Sequence, residues 1–108
     1  MIRLVVLYNL PDGECEEDFL KWRLTEHQEN NESMPGVAKT DFARVIDLWP
    51  KEVGPEYTFQ TTVEWPDRET YEASFNSDES QIALKKNLKR LGEYTFFVSE
   101  VFSGMTGD

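Results

Sequence analysis

The chain has a single histidine, His27, and an arginine, Arg23, one helical turn before it. If residues 15–31 form a helix that advances about 100° per residue, both side chains lie within the apolar stripe that contains Phe19 and Leu24. An imidazole titrates near neutral pH, so His27 could accept or donate a proton there. Arg23 could then hold an anionic oxygen of the same molecule. We therefore predict a pocket in which His27 is the catalytic residue.

Both residues also have structural explanations. His27 could be a core histidine whose imidazole is satisfied by one hydrogen bond. Arg23 could reach the edge of the helix and pair with Asp18, Glu16 or Glu26. If the two side chains are neighbours, the charge of Arg23 disfavours the imidazolium, and a neutral ring is able to act as a base.

Aromatic residues are the natural candidates for binding a substrate beside His27. Seven Phe, four Tyr and three Trp are many for 108 residues, and aromatics that exceed one small core tend to line a pocket or an interface. We predict substrate contacts from Tyr8, Phe19, Trp22, Arg23 and Trp49. Trp49 lies beside a proline in a loop, where an aromatic ring can close the mouth of a pocket.

Metal and cofactor motifs do not accompany these residues. One His and one Cys cannot supply the usual set of transition-metal ligands. Gly13, Gly36 and Gly54 stand singly rather than in a nucleotide-binding loop. We expect no cofactor and no metal, so the ligand's own reactivity would have to suffice. Haem is the alternative, because it needs only one axial nitrogen and His27 could supply it.

The charge of the chain limits its partners. A net charge of -10 argues against nucleic acid and anionic membranes, which require a basic patch. No apolar stretch approaches the length of a membrane span, and the apolar run at residues 2–8 is too short and too early for a signal peptide. We therefore expect a cytoplasmic protein. Cys15 stands among glutamates, which makes it a poor nucleophile.

Hydrophobic periodicity and turn signals predict the elements that position these residues. Strands are predicted at residues 2–8, 37–47, 57–65 and 94–102, and helices at 14–31, after Asp67, and through Leu84, Leu88 and Leu91. This order is typical of an α+β, ferredoxin-like βαββαβ fold, with four antiparallel strands and helices on one face. We expect residues 1–108 to form a single domain of this kind, with a loosely held tail from residue 104.

The first and last strands carry apolar residues on both faces. In the first strand, Leu4 and Val6 alternate with Val5 and Leu7. The sheet face without helices should therefore also be buried. A second copy of the chain is the economical cover, which predicts a two-fold homodimer through this face. Each protomer would keep a pocket between its sheet and its helices for a hydrophobic small molecule.

Several of these segments resemble the EthD family of the dimeric α/β-barrel superfamily. They are the first strand ending in Tyr8, the segment Phe19–His27, the Met34–Val37 turn, the run Thr40–Val45 and the closing strand with Glu100. The resemblance extends from Ile2 to about Phe102 and implies the same fold and dimer. The family's first-helix histidine falls on His27. Residues 28–33 depart from the family, whose members often have a proline and apolar residues there.

The resemblance implies an association with the oxidative breakdown of ethers and other xenobiotics. Relatives in the superfamily include monooxygenases, polyketide cyclases, lactone isomerases and haem-binding enzymes. Two hypotheses follow for this chain. It is either a small homodimeric oxidoreductase, cyclase or isomerase that uses His27, or a non-catalytic module that holds a hydrophobic metabolite for a separate oxygenase.

Overall fold

A computed structural model of the chain describes residues 1–27, 34–47, 49 and 57–103, without the side chains of Glu26 and His27. Its four strands are β1 (Ile2–Tyr8), β2 (Lys39–Arg44), β3 (Phe59–Trp65) and β4 (Tyr94–Glu100). They form one antiparallel sheet in the order β2-β3-β1-β4. Helix α1 (Glu16–Trp22) continues as a π-helical turn (Arg23–His27), and α2 (Arg68–Phe75) and α3 (Asp78–Leu88) connect β3 to β4.

The elements occur in the predicted order, with shorter bounds. β2 and β4 each end before the predicted residue, and α1 begins two residues later than predicted. Tyr57, predicted at the start of the third strand, precedes β3, and its phenol hydrogen-bonds the Thr95 hydroxyl at 2.6 Å. The predicted end of the first helix beyond His27, most of the loop at 48–56 and the tail at 104–108 lie outside the described residues.

Side chains alternate between the two faces of the sheet, as strand geometry requires. In β1, Leu4, Val6 and Tyr8 point toward the helices and belong to the hydrophobic core. Val5 points the other way, where the register places it between Thr62 and Phe97. The helices therefore cover one face, and the opposite face is open in the single chain.

The core beneath α1 is a cluster of aromatic rings. Phe19 of α1 is 2% exposed and lies 5.4 Å from the Phe59 ring of β3, measured between centroids. Tyr8 contacts both rings, at 6.1 Å and 5.9 Å, and Phe42 stacks on Phe59 at 5.5 Å. These offset and edge-on contacts are the arrangements that aromatic quadrupoles favour. The cluster fixes α1, and with it Arg23, against the sheet.

The Met34–Val37 segment is a tight turn against α2. The Val37 amide donates to the Met34 carbonyl at 3.3 Å, and Gly36 adopts a φ of 75°. A type II turn has proline and then a positive-φ residue at its centre, which Pro35 and Gly36 supply. A Cβ on Gly36 would lie 2.2 Å from Cγ2 of Thr70. Glycine is therefore required here both by conformation and by space.

Helix α3 differs from the other helices because none of its side chains is fully buried. Its first turn is capped by Ser77, whose hydroxyl accepts a hydrogen bond from the Ser80 amide at 3.2 Å. Its leucines face the sheet across open space rather than packing on it.

None of the helices in the described residues is long and apolar enough to cross a membrane.

Candidate ligand-binding site

A cavity of about 560 Å³ lies between the helix-facing side of the sheet and α3. Its apolar walls come from both elements and from the Met34 turn. They consist of Leu4, Val6, Val63 and Phe96 on the sheet, Phe75, Ala83, Leu84, Leu88 and Leu91 on the helical side, and Met34 and Pro35. A volume of this size and a predominantly apolar lining are typical of small-molecule sites.

Three polar side chains converge at the sheet side of this cavity. Nη2 of Arg23 donates to Oγ1 of Thr61 at 3.1 Å. The Tyr8 hydroxyl lies 3.0 Å from the same Thr61 oxygen. All three residues line the cavity, and each is buried against bulk solvent. We call Tyr8, Thr61 and Arg23 the polar cluster.

Arg23 is a buried cation, and burial lowers the pKa of its guanidinium group. The residue is 1% exposed, and its guanidinium carbon lies 4.4 Å from the centre of the Phe42 ring. Burial lowers the pKa of Arg23, while the neighbouring Tyr8 oxygen raises it in part. The pKa of arginine is so high that the side chain stays cationic. The cavity therefore contains a buried positive charge that contacts an aromatic face and a hydroxyl.

The Tyr8 phenol is neutral at physiological pH. Burial raises the pKa of Tyr8, and its hydrogen bond to Thr61 and the positive charge of Arg23 only partly oppose that rise. A neutral phenol retains its proton and can donate a hydrogen bond. The polar cluster is therefore rich in hydrogen-bond donors.

The predicted substrate-binding residues occupy different places. Tyr8 and Arg23 line the cavity, and Arg23 points to the sheet rather than to the helix edge. Phe19 lies in the aromatic core beside them. Trp22 is half-buried between the Phe19 ring and the guanidinium of Arg90, which is 4.5 Å from its centre. Trp49 is 85% exposed. The last three are not among the described residues of the cavity lining.

His27 is the last residue of the π-helical turn that begins with Arg23. Its side chain lies outside the described part of the structure. π-Helical turns occur frequently at functional sites. The catalytic role of His27 and the substrate contacts remain predictions.

Thr61 is the member of the cluster that sequence reasoning did not single out. It occupies the apolar face of β3 between Phe59 and Val63, and the whole side chain is buried. Its polar side chain among the inward-facing apolar residues of the strand is the sequence feature that could have indicated a site. Threonine is also a common strand former, so its position alone did not separate a functional role from packing.

Potential metal ligands are dispersed in this part of the chain. The described residues contain no group of three or more His, Cys, Asp or Glu side chains that could hold a metal ion. Glu16, one of the carboxylates predicted as an alternative partner of Arg23, pairs with Arg44.

Comparisons with known proteins identify the type of fold and a family. A family model described as REDY-like protein HapK matches residues 2–102. No curated protein matches the chain in sequence. An ethyl tert-butyl ether D (EthD) family protein from Bacillus halodurans C-125 is 18% identical. It superposes with a TM-score of 0.76 over 94% of this chain and 99% of its own. The predicted EthD-like, ferredoxin-like superfamily is confirmed.

Two further solved structures share the fold at lower identity. A dimeric ferredoxin-like protein of unknown function from Thermobifida fusca YX is 15% identical, with a TM-score of 0.70 over 93% of this chain and 90% of its own. SnoaB, a cofactor-independent oxygenase from Streptomyces nogalater, is 8% identical, with a TM-score of 0.68 over 96% and 95%. These likenesses confirm the predicted four-stranded antiparallel fold, and the first of them is to a protein that is a dimer.

Proposed function

The chain belongs to the family of the REDY-like protein HapK, and we propose that it binds an apolar small molecule in the cavity and promotes a chemical change in it. The observation that carries this proposal is the cavity of about 560 Å³ with apolar walls and the polar cluster at one side. An apolar molecule would gain from burial, and the cluster would fix its orientation.

The chemistry would combine a proton acceptor with an electrostatic stabiliser. His27, four residues after Arg23, would remove a proton from a carbon next to a polar group of the ligand. The guanidinium and the hydroxyl donors would stabilise the negative charge that develops on the ligand oxygen. The low polarity of the walls would strengthen this stabilisation, because little water competes for the charge.

An oxidation is the reaction class that we propose first. The fold similarity to SnoaB, a cofactor-independent oxygenase, supports it, as does the likeness to an EthD family protein. In such a reaction a CH₂ group and one O₂ would give a carbonyl group and one water, so the ligand would supply all the electrons. This would suit a role in the oxidative degradation of a hydrophobic compound. A cyclisation or isomerisation would use the same proton transfer.

We also propose that the protein acts as a homodimer through the open sheet face. The likeness to a dimeric ferredoxin-like protein supports this assembly. Val5 and Phe97 pair on that face, and Phe97 is 46% exposed in the single chain. Exposed apolar side chains on an open sheet face favour association with another apolar surface.

A ligand screen by thermal shift tests the function. Aromatic, quinone-like and short tertiary-alcohol compounds, together with haem, are added to the wild type and to Ala83→Phe, which fills the cavity. Ala73→Phe is the matched control, since Ala73 is an exposed alanine of α2 that is not part of the lining. A ligand should raise the melting temperature of the wild type and of Ala73→Phe but not of Ala83→Phe.

His27→Gln then separates an enzyme from a binding module. If the protein is an enzyme, this substitution should abolish turnover of the stabilising ligand and leave most of the thermal shift. If turnover is absent in the wild type and the substitution only weakens binding, the protein is a carrier that serves a separate oxygenase. Stabilisation of Ala83→Phe to the same extent as the wild type would contradict the cavity as the binding site.

A further inference from the structure

We propose that the cavity selects molecules whose polar group is a hydrogen-bond-accepting oxygen, such as a ketone, and that Arg23 sets this selectivity. The inference rests on the proposed function, because it names the class of ligand for the same cavity. It follows from counting the donors and acceptors of the polar cluster.

Arg23 donates a hydrogen bond to Thr61. A guanidinium has only donors, so the contact of 3.1 Å between Nη2 and Oγ1 takes up one acceptor position of the threonine hydroxyl. The positive charge of Arg23 also acts on the Tyr8 phenol, where it opposes part of the rise in the Tyr8 pKa. Arg23 thus fills an acceptor position of Thr61, places its positive charge near the Tyr8 phenol and offers no acceptor in return.

The two hydroxyl groups of the cluster together have one proton more than their mutual hydrogen bond uses. Tyr8 and Thr61 form one hydrogen bond with each other, and either oxygen can be the donor. Each hydroxyl carries one proton. Their mutual bond uses one proton, whichever residue donates. The other proton therefore has no acceptor among the described residues, in both arrangements.

The spare proton lies on the sheet side of the cavity, where the walls are apolar. On the sheet side of the lining, Val6, Val63 and Phe96 have no polar side-chain atoms, and the other polar lining residues, Ser77, Glu79, Ser80 and Asn87, belong to the helical side. Once a ligand displaces water from the cavity, the spare proton needs an acceptor on the ligand. A carbonyl oxygen supplies one. A ligand with only an N–H group leaves the proton unsatisfied and also turns the positive end of its dipole toward the guanidinium.

Three planar tricyclic probes of similar shape test this selectivity. Fluorenone offers only an acceptor, fluorene offers neither group, and carbazole offers only a donor. Their association constants are measured by titration. Each constant is then divided by the octanol–water partition coefficient of the probe, which corrects for differences in hydrophobicity. Fluorenone should bind the wild type about tenfold more tightly than fluorene, and carbazole about tenfold more weakly, which is the range expected for one buried hydrogen bond gained or missing.

Variants of Arg23 test its part in the selectivity. Arg23→Met keeps an unbranched side chain but frees an acceptor position of Thr61, so the preference for fluorenone over carbazole should fall to about threefold or less. Arg23→Gln adds a carbonyl acceptor and should also lower the preference for fluorenone. It replaces Arg23→Met as the test if the methionine variant does not fold. Arg23→Lys keeps the charge and the donors, so it should keep the preference.

Each result has a distinct meaning. Equal corrected affinities of the three probes for the wild type would overturn the selectivity while leaving the proposed function intact. An unchanged preference in a folded Arg23→Met or Arg23→Gln variant would overturn the role of Arg23. If none of the probes binds the wild type, the proposed function fails together with this inference.

Discussion

Arg23 is the most deeply buried charged residue in the described part of the chain, with 1% of its surface exposed, and removing a charge from water is costly. Its contacts with the Phe42 face and the Thr61 hydroxyl offset part of that cost. A hydrophobic residue of similar volume would fill the same place without a charge to desolvate. The position of this guanidinium at the wall of a cavity, rather than within packed side chains, is what gives it a functional interpretation.

Tyr8→Phe should change how stability depends on alkaline pH. Because burial raises the pKa of Tyr8, its stabilising effect is fully present below the unfolded pKa of about 10. It is lost as pH rises from there toward the higher pKa of the folded state, because only the unfolded chain ionises in that interval. In urea titrations, the stability of the wild type should therefore fall more steeply than that of Tyr8→Phe above about pH 10. Parallel curves would contradict the burial of this phenol.

Sequence reasoning identified Tyr8 and Arg23 from their positions and missed Thr61. Helical spacing from Phe19 placed Arg23 on the inner face of the first helix, and the structure has it there. The Thr61 hydroxyl, which accepts the hydrogen bond from Arg23, belongs to a residue 38 positions further along the chain. Periodicity describes one element at a time, so it cannot say which strand residue a helix residue will meet.

Among the elements, α3 and the Met34–Val37 turn enclose the cavity. The spacing of Leu84, Leu88 and Leu91 predicted one apolar helix face, but α3 ends at Leu88 and only the first two leucines belong to it. That spacing could not distinguish a helix packed on the sheet from one that stands off it. Leu84 and Leu88 line the cavity instead of filling the core. The space beneath α3 depends on the volumes of side chains from several elements, which no local pattern encodes.

Gly36→Ala should destabilise the protein more than Gly13→Ala. Both glycines have positive φ, so an alanine at either one costs roughly 1–2 kcal/mol of backbone strain. Only the Cβ at Gly36 would also collide with Thr70, since nothing lies within 4 Å of a Cβ at Gly13. The free energy of unfolding in urea measures the difference, and Thr70→Ser should recover the excess by removing Cγ2. Equal losses at the two glycines would contradict the close contact of this turn with α2.

At the scale of the whole molecule, the two faces of the sheet have different roles. One face holds the aromatic core and the cavity, and the other carries Val5, Leu7 and Phe97. At one side of that open face, Arg3 and Glu64 form a salt bridge of 2.7 Å. Apolar residues at both parities of β1 predicted this arrangement from the sequence. The second face is apolar and exposed in the single chain, so its burial against another copy would connect the fold to a dimeric assembly.

Phe97→Lys should separate the proposed dimer into monomers. The lysine would place a charge on the open face, on the edge strand β4, which is unfavourable in a buried apolar interface. Val98→Lys is a matched control, because Val98 is 44% exposed and Phe97 is 46% exposed, on opposite faces of the same strand. Sedimentation velocity at micromolar concentration should show a dimer for the wild type and the control and a monomer for Phe97→Lys. A monomeric wild type would contradict the dimer.

The central claim is that a small molecule binds between the sheet and α3, and methyl NMR of the protein with bound fluorene tests it most directly. The methyl groups of Val63 and Leu84 line the cavity, whereas those of Val5 and Leu7 lie on the opposite face of the sheet. We predict nuclear Overhauser effects from fluorene to Val63 and Leu84 and none to Val5 and Leu7. Contacts confined to Val5 and Leu7, or no contacts to any of the four, would contradict the claim.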